Sequence, residues 1–76
     1  MDETNRASTD KISRLTNREG EILALLMQGR RARVIAKDLH LKHGTVNWHL
    51  ANIYQKLGVN DKVSAIIEAQ RLGVGQ

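Results

Sequence analysis

Val46, Leu50, Ile53 and Leu57 stand four, three and four places apart in the stretch Gly44–Leu57. That spacing lays all of them on one face of an α-helix. Asn47, Trp48, Ala51, Asn52 and Gln55 fall on the other faces, mostly outward. One face can therefore key the helix to a core while another presents amides, an indole and a small side chain to a partner. An amphipathic helix with an ordinary polar outside has the same pattern. Two features favour a recognition helix: no carboxylate occurs from Gly44 to Leu57, and a short basic helix is expected just before it.

A chain of 76 residues holds one domain with one small core. Proline is absent and strand-like alternation is scarce, so the fold class expected is all-α. With no cysteine there is no disulfide framework, thiolate metal site or thiol nucleophile, which fits a reducing compartment. No apolar run approaches the roughly 18 residues of a membrane span, and no signal-peptide pattern is present.

The net charge of +4 is unevenly placed. Between Met1 and Arg14, Asp2, Glu3 and Asp10 balance Arg6, Lys11 and Arg14. Between Arg30 and Lys56, six cations (Arg30, Arg31, Arg33, Lys37, Lys42 and Lys56) face Asp38 alone. A charge run is often only a solvated face. Here it coincides with the outward-facing helix, which directs the expectation toward nucleic acid. His40, His43 and His49 lie in the same interval, but they span a turn and a helix with no thiolate or carboxylate joining them. No metal site and no cofactor are expected.

Residues 1–14 are polar without a sustained apolar period and read as a flexible tail or linker, with Ile12 and Leu15 able to fold back on the core. Thr16-Asn17-Arg18-Glu19 has the form of a capping box, with Leu15 placed as a hydrophobic staple. The first helix then runs to about Gln28, burying Ile22, Leu23, Leu25 and Leu26, and Gly29 stops it. Glu19 and Glu21 could be taken for a paired acid and base; capping and the helix dipole explain them more simply. A second helix spans about Ala32 to His40, with Val34, Ile35, Ala36 and Leu39 apolar. Arg31 and Arg33 at its opening oppose the helix dipole, a conflict that a bound phosphate would relieve. Leu41-Lys42-His43-Gly44 is a connection short enough for a helix-turn-helix. Gly58 ends the third helix, and Asn60 or Asp61 caps a fourth running to about Leu72. Val63, Ile66, Ile67 and Gln70 form one stripe on that helix and Ala65, Ala69 and Leu72 another. A part of this apolar surface is expected to stay open for self-association.

Leu15-Thr16-Asn17-Arg18-Glu19 with Glu21-Ile22-Leu23, then Gly29, Ile35-Ala36, Leu39, Thr45-Val46, His49-Leu50, Asn52-Ile53-Tyr54 and Lys56-Leu57-Gly58-Val59 resemble the LuxR/GerE-type helix-turn-helix over residues 15–74. The resemblance implies a four-helix DNA-binding domain of bacterial transcription regulators, response regulators among them, acting in the cytoplasm. It implies that the third helix enters the major groove and that the fourth commonly makes a dimer reading inverted half-sites. Matched by position, Asn47, Trp48 and Ala51 fall on base-contacting places. Thr45, Lys56, Arg31 and Arg33 fall on phosphate-contacting ones, with Lys42 and Asn52 beside them. Val63, Ile67 and Gln70 are the candidate dimer residues, and RNA polymerase is a further candidate partner.

Several positions depart from the family pattern. Proline is frequent where Asn17 stands, and Ser-Asn where Arg31-Ala32 stands, so a helix cap is exchanged here for charge. A serine cap and an acidic residue are usual at Lys42 and His43. Lysine or arginine is frequent at Asn47, whereas asparagine pairs with adenine. Trp48 has two readings: a cover for the edge of the turn, or an indole pressed on sugar-phosphate or a thymine methyl. His49 is expected half-buried in a satisfied hydrogen bond, and Tyr54 in the core with its hydroxyl at the rim. Two other functions compete with sequence-specific DNA binding: a sigma-factor-like promoter binder, and a protein-interaction module that uses the same helices. No nucleophile, metal cluster or phosphate-cradling loop supports an enzyme.

Overall fold

A computed structural model of the chain describes residues 11–74, which form helices and connecting turns with no strand. From residue 17 on, the described residues form α1 (Asn17–Met27), α2 (Ala32–Leu39), α3 (His43–Leu57) and α4 (Lys62–Arg71). Of the tail expected over residues 1–14, the first ten residues lie outside the described ones. Residues 11–13 form a helical turn, and the Lys11 Nζ donates to Glu68 Oε2 on α4 at 3.0 Å.

α3 packs on each of the other three helices, whereas α2 and α4 have no Cα atoms within 8 Å of each other. The core lies where α1 and α3 meet and extends to both sides. Val46, Leu50, Ile53 and Leu57 are buried, as their spacing requires, against Ile22, Leu23 and Leu26 of α1, Ile35 and Ala36 of α2, and Ala65 and Ala69 of α4. Each wholly buried Leu or Ile in that set stabilises the fold by about 1.5–3 kcal/mol. Two expectations are corrected. Val34 is turned out to solvent at the start of α2 instead of facing the core. Leu15 packs on the core cluster and not as a staple, because the staple's partner position is Gly20, which has no side chain to meet it.

The capping box forms as its sequence predicts. Thr16 Oγ1 accepts from the Glu19 N–H at 3.1 Å, and the Thr16 N–H donates to Glu19 Oε1 at 2.9 Å. Glu19 is nevertheless buried, at 4% exposure, and the same Oε1 accepts from Lys56 Nζ at 2.7 Å. The first turn of α1 is thereby tied to the last turn of α3. Burial alone pushes the Glu19 carboxyl up. Hydrogen bonds from Lys56 and Thr16, with the charges of Lys56 and His49, outweigh that and hold it below its ordinary value of 4.5. Arg71 and Lys11 hold Glu68 lower still, at about 2.

All four helices end alike, on a left-handed or tightened last turn closed by a bond from the residue beyond to a carbonyl five residues back: Arg30 to Leu25, Leu41 to Ala36, Val59 to Tyr54 and Val74 to Ala69. Glycine occupies the left-handed position at Gly29, Gly58 and Gly73, but His40 occupies it after α2 with φ 57°. The second helix therefore stops one residue earlier than its sequence suggests, at Leu39.

Two outcomes follow for stability. Glu19→Gln breaks the shared carboxylate and leaves Lys56 without its partner, so urea denaturation at pH 7 should give a loss of about 1–3 kcal/mol. Because Glu19 and Glu68 both bind protons less readily when folded, their contribution is full above about pH 4.5 and fades as pH falls toward 2. The variant should show a shallower loss across that window, and an unchanged profile would remove Glu19 from the account. His40→Gly relieves the positive φ and should raise stability by about 1 kcal/mol; a destabilised variant would mean the imidazole contributes contacts that outweigh the strain.

Candidate nucleic-acid interface

The helix caps divide the molecule in two. α1 begins with the Thr16 capping box, and α4 with Asp61, whose Oδ1 accepts from the Ser64 N–H at 2.8 Å. α2 begins at Arg31 and α3 at Lys42, and neither start has a side-chain cap. The first amide groups of both helices are thus left for water or a ligand. The two uncapped starts also meet. Arg31, Ala32, Arg33 and Val34 line one open depression together with His43, the first residue of α3. N–H groups, helix dipoles and guanidinium groups at such a place all favour an anion.

Every described carboxylate is engaged: Glu19 by Lys56, Glu21 by Arg18, Asp38 by Arg30, Glu68 by Lys11 and Arg71, and Asp61 as a cap. Asp38, the one acidic residue of the basic interval, is neutralised by Arg30 at 2.6 Å. Arg31, Arg33, Lys37 and Lys42 are exposed and make no ion pair among the described residues. They form a positive rim at the opening and along the outside of α2 and at the turn.

Beside that rim lies the outer face of α3. Asn47, Trp48 and Ala51 are exposed, Trp48 at 63%, and Thr45 and Asn52 are half-buried. The Trp48 indole meets the His49 ring edge-on, with centroids 5.0 Å apart and planes at 64°. His49 departs from expectation. Its ring is half-buried as foreseen, but Nδ1 is enclosed and makes no hydrogen bond among the described residues. The ring lies against the Trp48 indole and near enough to the Glu19 carboxylate to lower its pKa.

Of the residues expected to meet DNA, the structure brings Arg31, Arg33, Lys42, Thr45, Asn47, Trp48, Ala51 and Asn52 onto or beside this face. Lys56 is instead two-thirds buried and held by Glu19. That pairing bridges 37 positions of sequence, so no local pattern could announce it. Lys37 and His43 join the rim although sequence reasoning did not select them. Lys37 could have been found from its place four residues after Arg33 on the same helix face. Val63 and Ile67 of α4 are 65% and 60% exposed and Gln70 is exposed beside them, while Ala65 and Ala69 face the core. Among the described residues no group of three or more metal-binding side chains assembles, and no helix is long and apolar enough to cross a membrane.

Two uncapped helices joined at a tight turn, the second with an open polar face, make a helix-turn-helix of the kind that docks on DNA. Residues 13–69 match the family described as bacterial regulatory proteins, luxR family, and the chain belongs to that family of transcription regulators as its DNA-binding, non-enzymatic domain. It is 41% identical over 59 residues to the spore germination protein GerE of Bacillus subtilis, covering 78% of this chain and 80% of that protein. It is 47% identical over 60 residues to the transcriptional activator protein AnoR of Acinetobacter nosocomialis, covering 79% of this chain but 25% of AnoR. With the response regulatory protein YgeK of Escherichia coli it shares 42% identity over 71 residues, 93% of this chain and 47% of YgeK. The chain thus spans about a quarter of some of its relatives and most of another.

The missing cap at α2 gives a test in which stability and binding move in opposite directions. Arg31→Ser supplies a capping hydroxyl and should raise stability by about 0.5–1 kcal/mol in urea denaturation. The same change should weaken binding to any duplex and flatten the slope of log K against log salt by about 0.9. An unchanged slope would take Arg31 out of the phosphate contacts.

Proposed function

We propose that the chain is the sequence-specific reader of a bacterial transcription regulator, with α3 in the major groove of double-stranded DNA and α2 across the adjacent backbone. The observation that carries this reading is the coincidence of two uncapped helix starts with four cations that make no ion pair among the described residues, beside an exposed α3 face without carboxylates. Arg31, Arg33, Lys37 and Lys42 bind phosphates and set the register, with Thr45 at the first turn of α3. Asn47, Trp48 and Ala51, with Asn52 at the margin, meet base edges. Lys56 acts from within, by fixing α3 on α1.

Residues 15–74 are the functional unit, and residues 1–14 lead into it. Val63, Ile67 and Gln70 of α4 pair two copies so that they read an inverted repeat. The relatives' larger size is in keeping with a further region that supplies the input signal. The place of action is the bacterial cytoplasm, on the nucleoid.

A chemical-shift titration of the labelled chain with duplex DNA at two salt concentrations tests the interface. Shifts should cluster at residues 31–37 and 42–52, and affinity should fall steeply with salt. Undisturbed Asn47 and Trp48 signals at low salt would favour a protein-contact module. Asn47→Ala should relax base choice at one position of the site, at a cost of about 1–3 kcal/mol for the preferred base. Equal losses on all sequences would assign Asn47 to the backbone instead.

A further inference from the structure

Between His43 and Lys56 the outward part of α3 carries no carboxylate, ammonium or guanidinium group. Asn47, Trp48 and Ala51 are exposed on it, and Asn52 is half-buried at its margin. Trp48 and Ala51 are three residues apart, and Asn47 and Ala51 four apart, so they form one patch on successive turns. Each base presents a different set of groups to the major groove. Guanine's paired acceptors are most often taken by Arg or Lys, and cytosine's amino group by Asp or Glu. The patch has none of these, since Arg31, Arg33, Lys37 and Lys42 lie on α2 and at the turn. It offers the Asn47 carboxamide, with that of Asn52 at the margin, and two apolar surfaces.

A carboxamide matches the N6–N7 pair of adenine, and the thymine methyl is the apolar group that a base pair shows in the major groove. The indole is well suited to meet it. Trp48 is 63% exposed, and its ring meets that of His49 in an edge-to-face contact with centroids 5.0 Å apart. His49 is in turn half-buried, with Nδ1 enclosed. A broad apolar plate fixed before docking loses little side-chain freedom on contact. We infer that α3 selects an A·T step, with Asn47 on the adenine and the Trp48 indole, flanked by the Ala51 methyl, on a neighbouring thymine methyl. The inference rests on the DNA-binding reading above and adds to it the chemical feature that is read.

Uracil, which is thymine without the methyl group, isolates that feature. A duplex library randomised over twenty base pairs is enriched on the immobilised chain, and the winning duplex is remade with uracil replacing each thymine in turn. A·T pairs should dominate adjacent positions. One or two uracil replacements should each lower affinity about fourfold, the value of one buried methyl group. Trp48→Ser, at a position too exposed to unsettle the core, should erase the thymine-to-uracil difference while keeping salt-dependent binding to bulk DNA. G·C pairs at the helix-facing positions, indifference to uracil throughout, or an undiminished difference in Trp48→Ser would each overturn the inference while leaving DNA binding intact. No enrichment, with salt-independent binding to bulk DNA, would overturn the DNA-binding reading and this inference together.

Discussion

A single carboxylate oxygen, Glu19 Oε1, fixes how the recognition helix sits in this molecule. It closes the first turn of α1 through the Thr16 N–H and receives Lys56 from the last turn of α3. A buried carboxylate is costly unless it is fully satisfied, so a mispositioned α3 would leave Glu19 with an unmet charge. Apolar packing of Val46, Leu50, Ile53 and Leu57 supplies most of the adhesion but tolerates small slides. The ion pair at the far end of the helix tolerates them less. α3 contacts every other helix, so its placement fixes the direction of both the α2 rim and the Trp48 face.

Stability and recognition are assigned to different helix ends. α1 and α4 satisfy their own amide groups with side chains, and α2 and α3 leave theirs open beside cations. Open ends and unpaired like charges both destabilise an isolated fold. A molecule of this size can sustain them because one apolar core joins α1, α2, α3 and α4, and because every described carboxylate is engaged by a cation or as a helix cap. On the proposed reading, keeping charge on α2 and base-reading groups on α3 separates affinity from choice.

Much of this was legible in the sequence because it depends on near neighbours. The Thr16–Glu19 box, the period of α3 and the glycine stops at Gly29 and Gly58 are local patterns and occur as read, while the connection read over residues 41–44 falls on residues 40–42. The α3 start moves by one residue, to His43. What escaped depends on distant parts of the chain. The basic character of Lys56 suggested a phosphate contact, but its partner is Glu19. Val34 belongs to an apolar run yet faces outward, because Ile35 and Ala36 already fill the short interface that an eight-residue helix can offer. His40 takes a left-handed conformation that its residue type does not announce; the two helices on either side require the chain to turn there.

The position of Trp48 also bears on what light can report about this chain. It is the sole tryptophan, and its indole stands mostly in water when the protein is folded. Unfolding changes its surroundings little, so intrinsic emission is a poor gauge of whether the core is intact. Contact with a nucleobase or a sugar changes those surroundings greatly. On the proposed reading the native fluorophore is therefore nearly silent on folding and responsive to docking, and it separates the two events without an added label.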